Sequence, residues 1–211
     1  MPAPGIEDLR RQLREKFPAA HGVQLGSSPR KKTGNPFHPE SFPSGTISEV
    51  IPAGPVAGLS LVVAALLGDP GEDSPLPELA LIDGADGFDP SSHTAAACSR
   101  LLWVRCASAP EMLKAADLLV RDGNLPFVLL DASGLPRHEL TAIPASSWWR
   151  LRQMAGRTGG RLVVLSPYPI VPGTGLRLSL SADLSLHDFD APRRELLERM
   201  TTGSEGLRQA T

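Results

Sequence analysis

The run Ala53-Gly54-Pro55-Val56-Ala57-Gly58-Leu59-Ser60 lies over the pattern GxxxxGK[ST] with Gly58 and Ser60 in register. In that pattern backbone amides at a helix start cradle phosphates, a lysine reaches the terminal phosphates and the hydroxyl faces magnesium. Here Ala53 stands at the first glycine and Leu59 at the lysine. An apolar stem cannot replace a mobile ammonium beside a triphosphate. The predicted element is a strand, a turn and a helix with the outline of a phosphate-binding loop and no nucleotide function.

Other residues have the types that chemistry needs. Asp131 closes the run FVLLD, where a carboxylate can hold magnesium or simply end a turn. Trp148-Trp149-Arg150 is an aromatic pair beside an arginine, suited to stacking on bases or to anchoring a protein partner. Neighbours on a helix stand about 100° apart, so one tryptophan is expected in the core and the other at the surface. His93, His138 and His187 are scattered, and Cys98 and Cys106 lie eight apart with no further thiol to complete a zinc site. Cys106, in an apolar run, reads as a small core residue. No catalytic residue, metal ligand or cofactor is expected.

These residues must be positioned by elements that the patterning foretells. Residues 46–51 alternate as a strand and 58–67 form a small, leucine-rich helical run. Strands follow at 78–83, 101–106 and 161–166. Residues 110–122 place Met112, Leu113, Ala116, Leu119 and Val120 on one helical face closed by Gly123. The unbroken apolar run 127–131 suits a central parallel strand covered on both faces. A helix over 146–155 takes Ser146 or Ser147 as its cap, and strict alternation over 177–186 predicts a half-exposed antiparallel strand near a sheet edge. Strands and helices alternate through the middle of the chain, which implies an α/β sandwich around a mostly parallel sheet.

Residues 1–20 contain an amphipathic helix over 6–17, with Ile6, Leu9, Leu13 and Phe17 along one stripe. It either folds back on its own core or docks on a neighbour. The Pro-, Gly-, Ser- and Arg/Lys-containing stretch 21–45 reads as a flexible linker, with Arg30-Lys31-Lys32 a solvated cluster. The core is expected over 46–187. The tail 188–211 holds one amphipathic run, 192–200, before small and polar residues that are expected to be mobile.

The 211 residues, 41% hydrophobic, suffice for a sizeable core. With 21 basic against 23 acidic residues the formal net charge is −2, so no global basic field argues for nucleic acid. No apolar run of about eighteen residues could span a bilayer, and charges fill the N-terminus where a signal peptide needs apolar residues. A soluble, cytoplasmic protein is expected.

The order of motifs resembles the core of RecA, and more closely the ImuA-like group of RecA-like proteins from bacterial mutagenesis cassettes. Four stretches carry the resemblance, together about 44–186: the degenerate loop 53–60; LIDGADGFDP, 81–90; LLWVRCASAPEMLKAADLLVRDGNLPFVLLD, 101–131; and the helix and strand of 148–166, followed by an alternating strand. It implies a RecA-like three-layer sandwich of the P-loop NTPase type, mostly parallel with antiparallel edge strands. Asp131 then falls at the Walker B position, Ala85 at the glutamate that activates water, and Ser166-Pro167 at the sensor. A methyl group cannot orient or deprotonate water. With Leu59, three parts of one mechanism are lost, and Ala53, Gly54, Gly58, Leu59, Ser60 and Asp131 become vestigial. The segments matching RecA's two DNA-holding loops, 136–147 and 168–175, contain Arg137 and His138 in the first and one aromatic with no basic residue in the second.

The resemblance implies a non-hydrolysing accessory protein in SOS-induced mutagenesis and translesion DNA synthesis. Its partners would be RecA and the ImuB polymerase-like subunit, and through ImuB a DnaE-type error-prone polymerase. The stripe Ile6, Leu9, Leu13 and Phe17 would contact RecA, and Trp148, Trp149 and Arg150 DNA or a partner. Two alternatives stay open. One is a slow ATPase with Ser60 and Asp131 on magnesium and Asp86 as base; the other is a single-stranded-DNA-binding repair protein using Arg150 and Arg152.

Overall fold

The computed structural model describes residues 37–54, 58–68, 76–182, 184 and 186–205. The predicted helix at 6–17 and its contact stripe lie outside the described residues, as do Pro55, Val56 and Ala57 of the loop.

Seven strands form one sheet: β1 Thr46–Pro52, β2 Leu79–Asp83, β3 Leu101–Arg105, β4 Phe127–Asp131, β5 Arg161–Leu165, β6 Leu176–Ala182 and β7 Met200–Glu205. Their spatial order is β3-β2-β4-β5-β1-β6-β7. All neighbours run parallel except β6 and β7. The helices are α1 Leu59–Leu67, α2 Ala95–Ser99, α3 Ala109–Asp122, α4 Arg137–Thr141, α5 Ala145–Thr158 and α6 Arg193–Glu198. The fold is an α/β sandwich around a mostly parallel sheet with an antiparallel edge strand.

Two apolar layers flank the sheet. One joins Met112, Ala116 and Leu119 of α3 to Trp148, Leu151 and Ala155 of α5 over Ile82, Leu130 and Val164. The other joins α1 to Leu81, Leu129, Val163 and Leu180, with Leu196 and Met200 from the C-terminal part. β4 follows from its composition: Phe127, Val128, Leu129 and Leu130 are buried on both faces, as a central parallel strand requires. Both long helices end in a glycine in the left-handed region, Gly123 and Gly159, which lacks the Cβ that penalises that conformation.

Four expectations need correction. Residues 37–45 are not linker: Phe37 and Phe42 are 1% exposed, Phe42 packs edge-on against Phe127 at 5.8 Å, and its carbonyl accepts from Arg161 Nε at 2.8 Å. Apolar burial outweighed the Pro/Gly-rich composition. Nor does the ordered core end at 187. Residues 201–205, expected to be mobile, pair together with Met200 along β6 from Ala182↔Met200 to Arg177↔Glu205, because a free sheet edge supplies backbone partners that polar side chains do not forbid. Consequently β6 lies one strand in from the edge, parallel to β1 and antiparallel only to β7. Finally, α5 begins after Pro144 with no side-chain cap from Ser146 or Ser147.

Candidate functional site

The carboxyl ends of β1, β2, β4 and β5 bring the expected site residues to one edge of the sheet. Ala53 continues the pairing past β1, its amide donating to Leu180 O at 2.6 Å. Ala53 and Gly54 are exposed. Gly58 caps α1 from the left-handed region, φ 58°, so the turn-to-helix outline is kept. The surroundings of that helix start are apolar. Leu59 is 7% exposed and belongs to the cluster containing Leu180, Leu196 and Met200. A Cβ added at Gly58 would meet Met200 Cε at 3.7 Å and Ala182 Cβ at 4.0 Å. Ser60 is exposed.

Asp83 ends β2 and is 1% exposed. It accepts the amides of Ala85 at 3.3 Å, Gly87 at 3.0 Å and Phe88 at 3.0 Å, and Trp103 Nε1 at 3.2 Å. These bonds fold the following turn around the carboxylate. Gly84 is required there, since its amide donates to Asp131 O at 2.9 Å and a Cβ would lie 2.8 Å from that oxygen. The turn leaves Ala85 exposed and puts Asp86 in the left-handed region, φ 56°. Asp86 forms a surface ion pair with Arg105, and that hydrogen bond holds its carboxyl below the usual carboxylate range. As a water-activating base Asp86 is therefore badly placed: it is already bonded to a guanidinium, and a lowered pKa weakens a base.

Asp131 is half-buried and accepts from Ser133 through the amide at 2.9 Å and the hydroxyl at 2.6 Å. Burial pushes its carboxyl up; the two Ser133 hydrogen bonds oppose this, and the charge of Asp83 adds to it. Ser166, at the sensor position, is fully buried, and its hydroxyl donates to Glu49 Oε1 at 3.1 Å. Among the described residues no group of three or more His, Cys, Asp or Glu side chains could hold a metal ion, and no helix is long and apolar enough to cross a membrane.

The aromatic pair on α5 divides as the helical step predicts. Trp148 is 1% exposed and Trp149 is 61% exposed. Trp148 is therefore removed from the expected DNA or partner contacts: its ring is spent on the α3–α5 core. Arg150 Nε lies 2.9 Å from Asp117 Oδ1, and Arg121 reaches Asp117 Oδ2 at 2.6 Å. The arginine next to the exposed indole thus also ties α5 to α3. The segments on either side of α5 touch each other. Arg137 lies over the Tyr168 ring at 4.9 Å, and Tyr168 Oη donates to Arg137 O at 3.3 Å.

Two features escaped the sequence reading. Glu49, in the middle of β1, is fully buried and meets four donors; a lone carboxylate in an alternating strand otherwise points to the solvent face. At the β3 edge, Phe88 stacks on His93 at 5.0 Å and meets Trp103 edge-on at 5.3 Å, with Arg105 over the Trp103 ring at 5.1 Å. The spacing of those residues carried no signal that they would meet.

No family model matches the chain, and no curated protein matches it. Among solved structures it is similar to one described as the crystal structure of the RadB recombinase, with a TM-score of 0.47 and 16% identity over 68% of this chain and 78% of that one.

Proposed function

We propose that this chain is a RecA-like accessory protein of DNA repair that does not hydrolyse nucleotide and acts by binding other proteins. The partners proposed are RecA and the ImuB polymerase-like subunit, in SOS-induced translesion synthesis. The observation that carries the non-hydrolysing half is Leu59. At the position of the phosphate-reaching lysine stands a side chain 7% exposed, packed into an apolar cluster, where a charge would be costly to bury.

The other groups do not fit magnesium and a triphosphate either. Ser60 keeps a hydroxyl, but the Asp131 carboxylate is already bonded to Ser133 through its amide and its hydroxyl. Ala85 offers a methyl group and Asp86 is held by Arg105. The binding half rests on the resemblance of 44–186 to the ImuA-like group and on the amphipathic stripe Ile6, Leu9, Leu13 and Phe17.

Calorimetric titration with ATP and magnesium, followed by pull-down of RecA and of ImuB from the same sample, tests both halves. No ATP heat with capture of RecA supports the reading. Micromolar ATP affinity overturns its first half. Undiminished RecA capture by the Leu9→Asp, Leu13→Asp double variant removes the stripe as the contact.

A second reading, binding of single-stranded DNA, is favoured by one observation: Trp149 presents most of its ring to solvent beside Arg150, the combination on which bases stack. It requires salt-dependent binding to single strands that falls when Arg150 and Arg152 are replaced.

A further inference from the structure

Segment 167–175, which joins β5 to β6, is rich in proline and has no regular secondary structure, yet it is anchored at almost every step. Ile170 and Val171 donate their amides to Glu49 Oε1 at 2.7 and 3.1 Å. Ser166, immediately before the segment, donates its hydroxyl to the same oxygen at 3.1 Å. Arg177, on β6, closes the far side, with Nε 2.8 Å from Glu49 Oε2 and a terminal nitrogen 2.9 Å from Val171 O. Arg152 of α5 bonds Pro172 O, and the Gly175 amide donates to Ile47 O at 2.9 Å. Val171 and Thr174 point inward, 1% and 3% exposed.

Glu49 is 0% exposed, and among the described residues every hydrogen bond of its side chain comes from segment 167–175 or from Ser166 and Arg177 on either side of it. A buried carboxylate is tolerable only when its oxygens are satisfied. The arrangement is therefore reciprocal. The segment hydrogen-bonds Glu49 through two amides, Arg177 of β6 neutralises it, and Glu49 holds the segment shut. Opening would leave Glu49 Oε1 inside the protein without two of its three donors.

We propose that Glu49 is an internal latch that keeps segment 167–175 closed without any ligand, so that the surface formed by this segment and Arg137 is preformed rather than ordered on binding. Fixing a contact surface in advance removes the ordering cost from association, which suits a protein that works by docking. This use of the surface rests on the reading above; the latch itself does not.

Amide hydrogen exchange read residue by residue tests it in the full chain, with Glu49→Gln as the first variant. A glutamine that keeps its oxygen toward Ile170 and Val171 turns its NH2 against Arg177, donor against donor. The expected result is a loss of protection at Ile170 and Val171 that exceeds any loss at Leu129 and Leu130 of β4 by about tenfold or more. If Glu49→Gln does not fold, Arg177→Met carries the test, with the same expectation. An equal loss across all amides, or none at 170 and 171, overturns the latch. Repeating the wild-type measurement with ATP and magnesium separates the two claims. Slowed exchange at 53–60 together with local opening in Glu49→Gln would leave the latch standing and end the non-hydrolysing reading. No effect of ATP together with no local opening would do the reverse.

Discussion

Asp131 stands in register with Asp83 on the neighbouring parallel strand, and the two carboxylates have unequal support. Asp83 is fully buried and gathers three backbone amides and an indole N–H. Among the described residues the Asp131 carboxylate is hydrogen-bonded by Ser133 alone, and burial raises its pKa, with the charge of Asp83 adding to the effect. By their bonds one carboxylate is the centre of a turn and the other is held by a single neighbouring residue.

The effect of burial on Asp131 has a sign. A carboxyl whose folded pKa is raised stabilises the fold when protonated, below its unfolded pKa, and that contribution is lost as pH rises through the folded value. Asp131→Asn is therefore expected to raise the urea midpoint at neutral pH. The gain should shrink as the pH falls through the carboxylate range. A variant less stable than wild type at pH 7 would show that the bonds to Ser133 outweigh burial.

Leu59 gives the second prediction. Leu59→Lys restores the loop's missing charge on paper, but it places an ammonium in the cluster of Leu180 and Met200. The expected outcome is a loss of about 2 kcal/mol or more in urea unfolding and no ATP heat by calorimetry. Tight ATP binding by the variant would mean that the site was one residue from working.

The adjacent tryptophans provide an internal control for burial. Trp148→Ala should cost about 3–5 kcal/mol as a large core deletion, whereas Trp149→Ala should stay within about 0.5 kcal/mol. In the same experiment, acrylamide should quench the fluorescence of the Trp148→Phe variant more efficiently than that of Trp149→Phe.

The two thiols should differ in reactivity. Cys106 is buried, and that burial raises its thiol pKa, so little reactive thiolate forms near neutrality. Cys98 is partly exposed. Brief maleimide treatment of the folded protein at pH 7 should add one label, at Cys98, by mass spectrometry, and a second only in denaturant. Fast double labelling would contradict the packing around Cys106.

Much of the fold was legible from periodicity. The strands at 127–131 and 161–165 and the helix 109–122 with its closing glycine match the predicted segments within a residue, because burial on two faces, or on one helical stripe, writes itself into local patterning. The helix start after Gly58 and the division between Trp148 and Trp149 were legible for the same reason: residue type and local geometry suffice.

What the sequence by itself determined, then, is the set of elements and the absence of a lysine at position 59 and a carboxylate at 85. Tertiary structure alone decided which residues meet. Glu49 and Arg177 are 128 positions apart, and nothing local marks Glu49 as buried or Arg177 as its partner. β7 carries few apolar side chains and exists because the edge of β6 offers it backbone hydrogen bonds. Phe37 and Phe42 are core residues in a stretch that otherwise reads as linker, since their burial is supplied by Phe127 and its surroundings. Local pattern records how a segment is covered. It does not record by what, because that depends on free energy shared between distant parts of the chain.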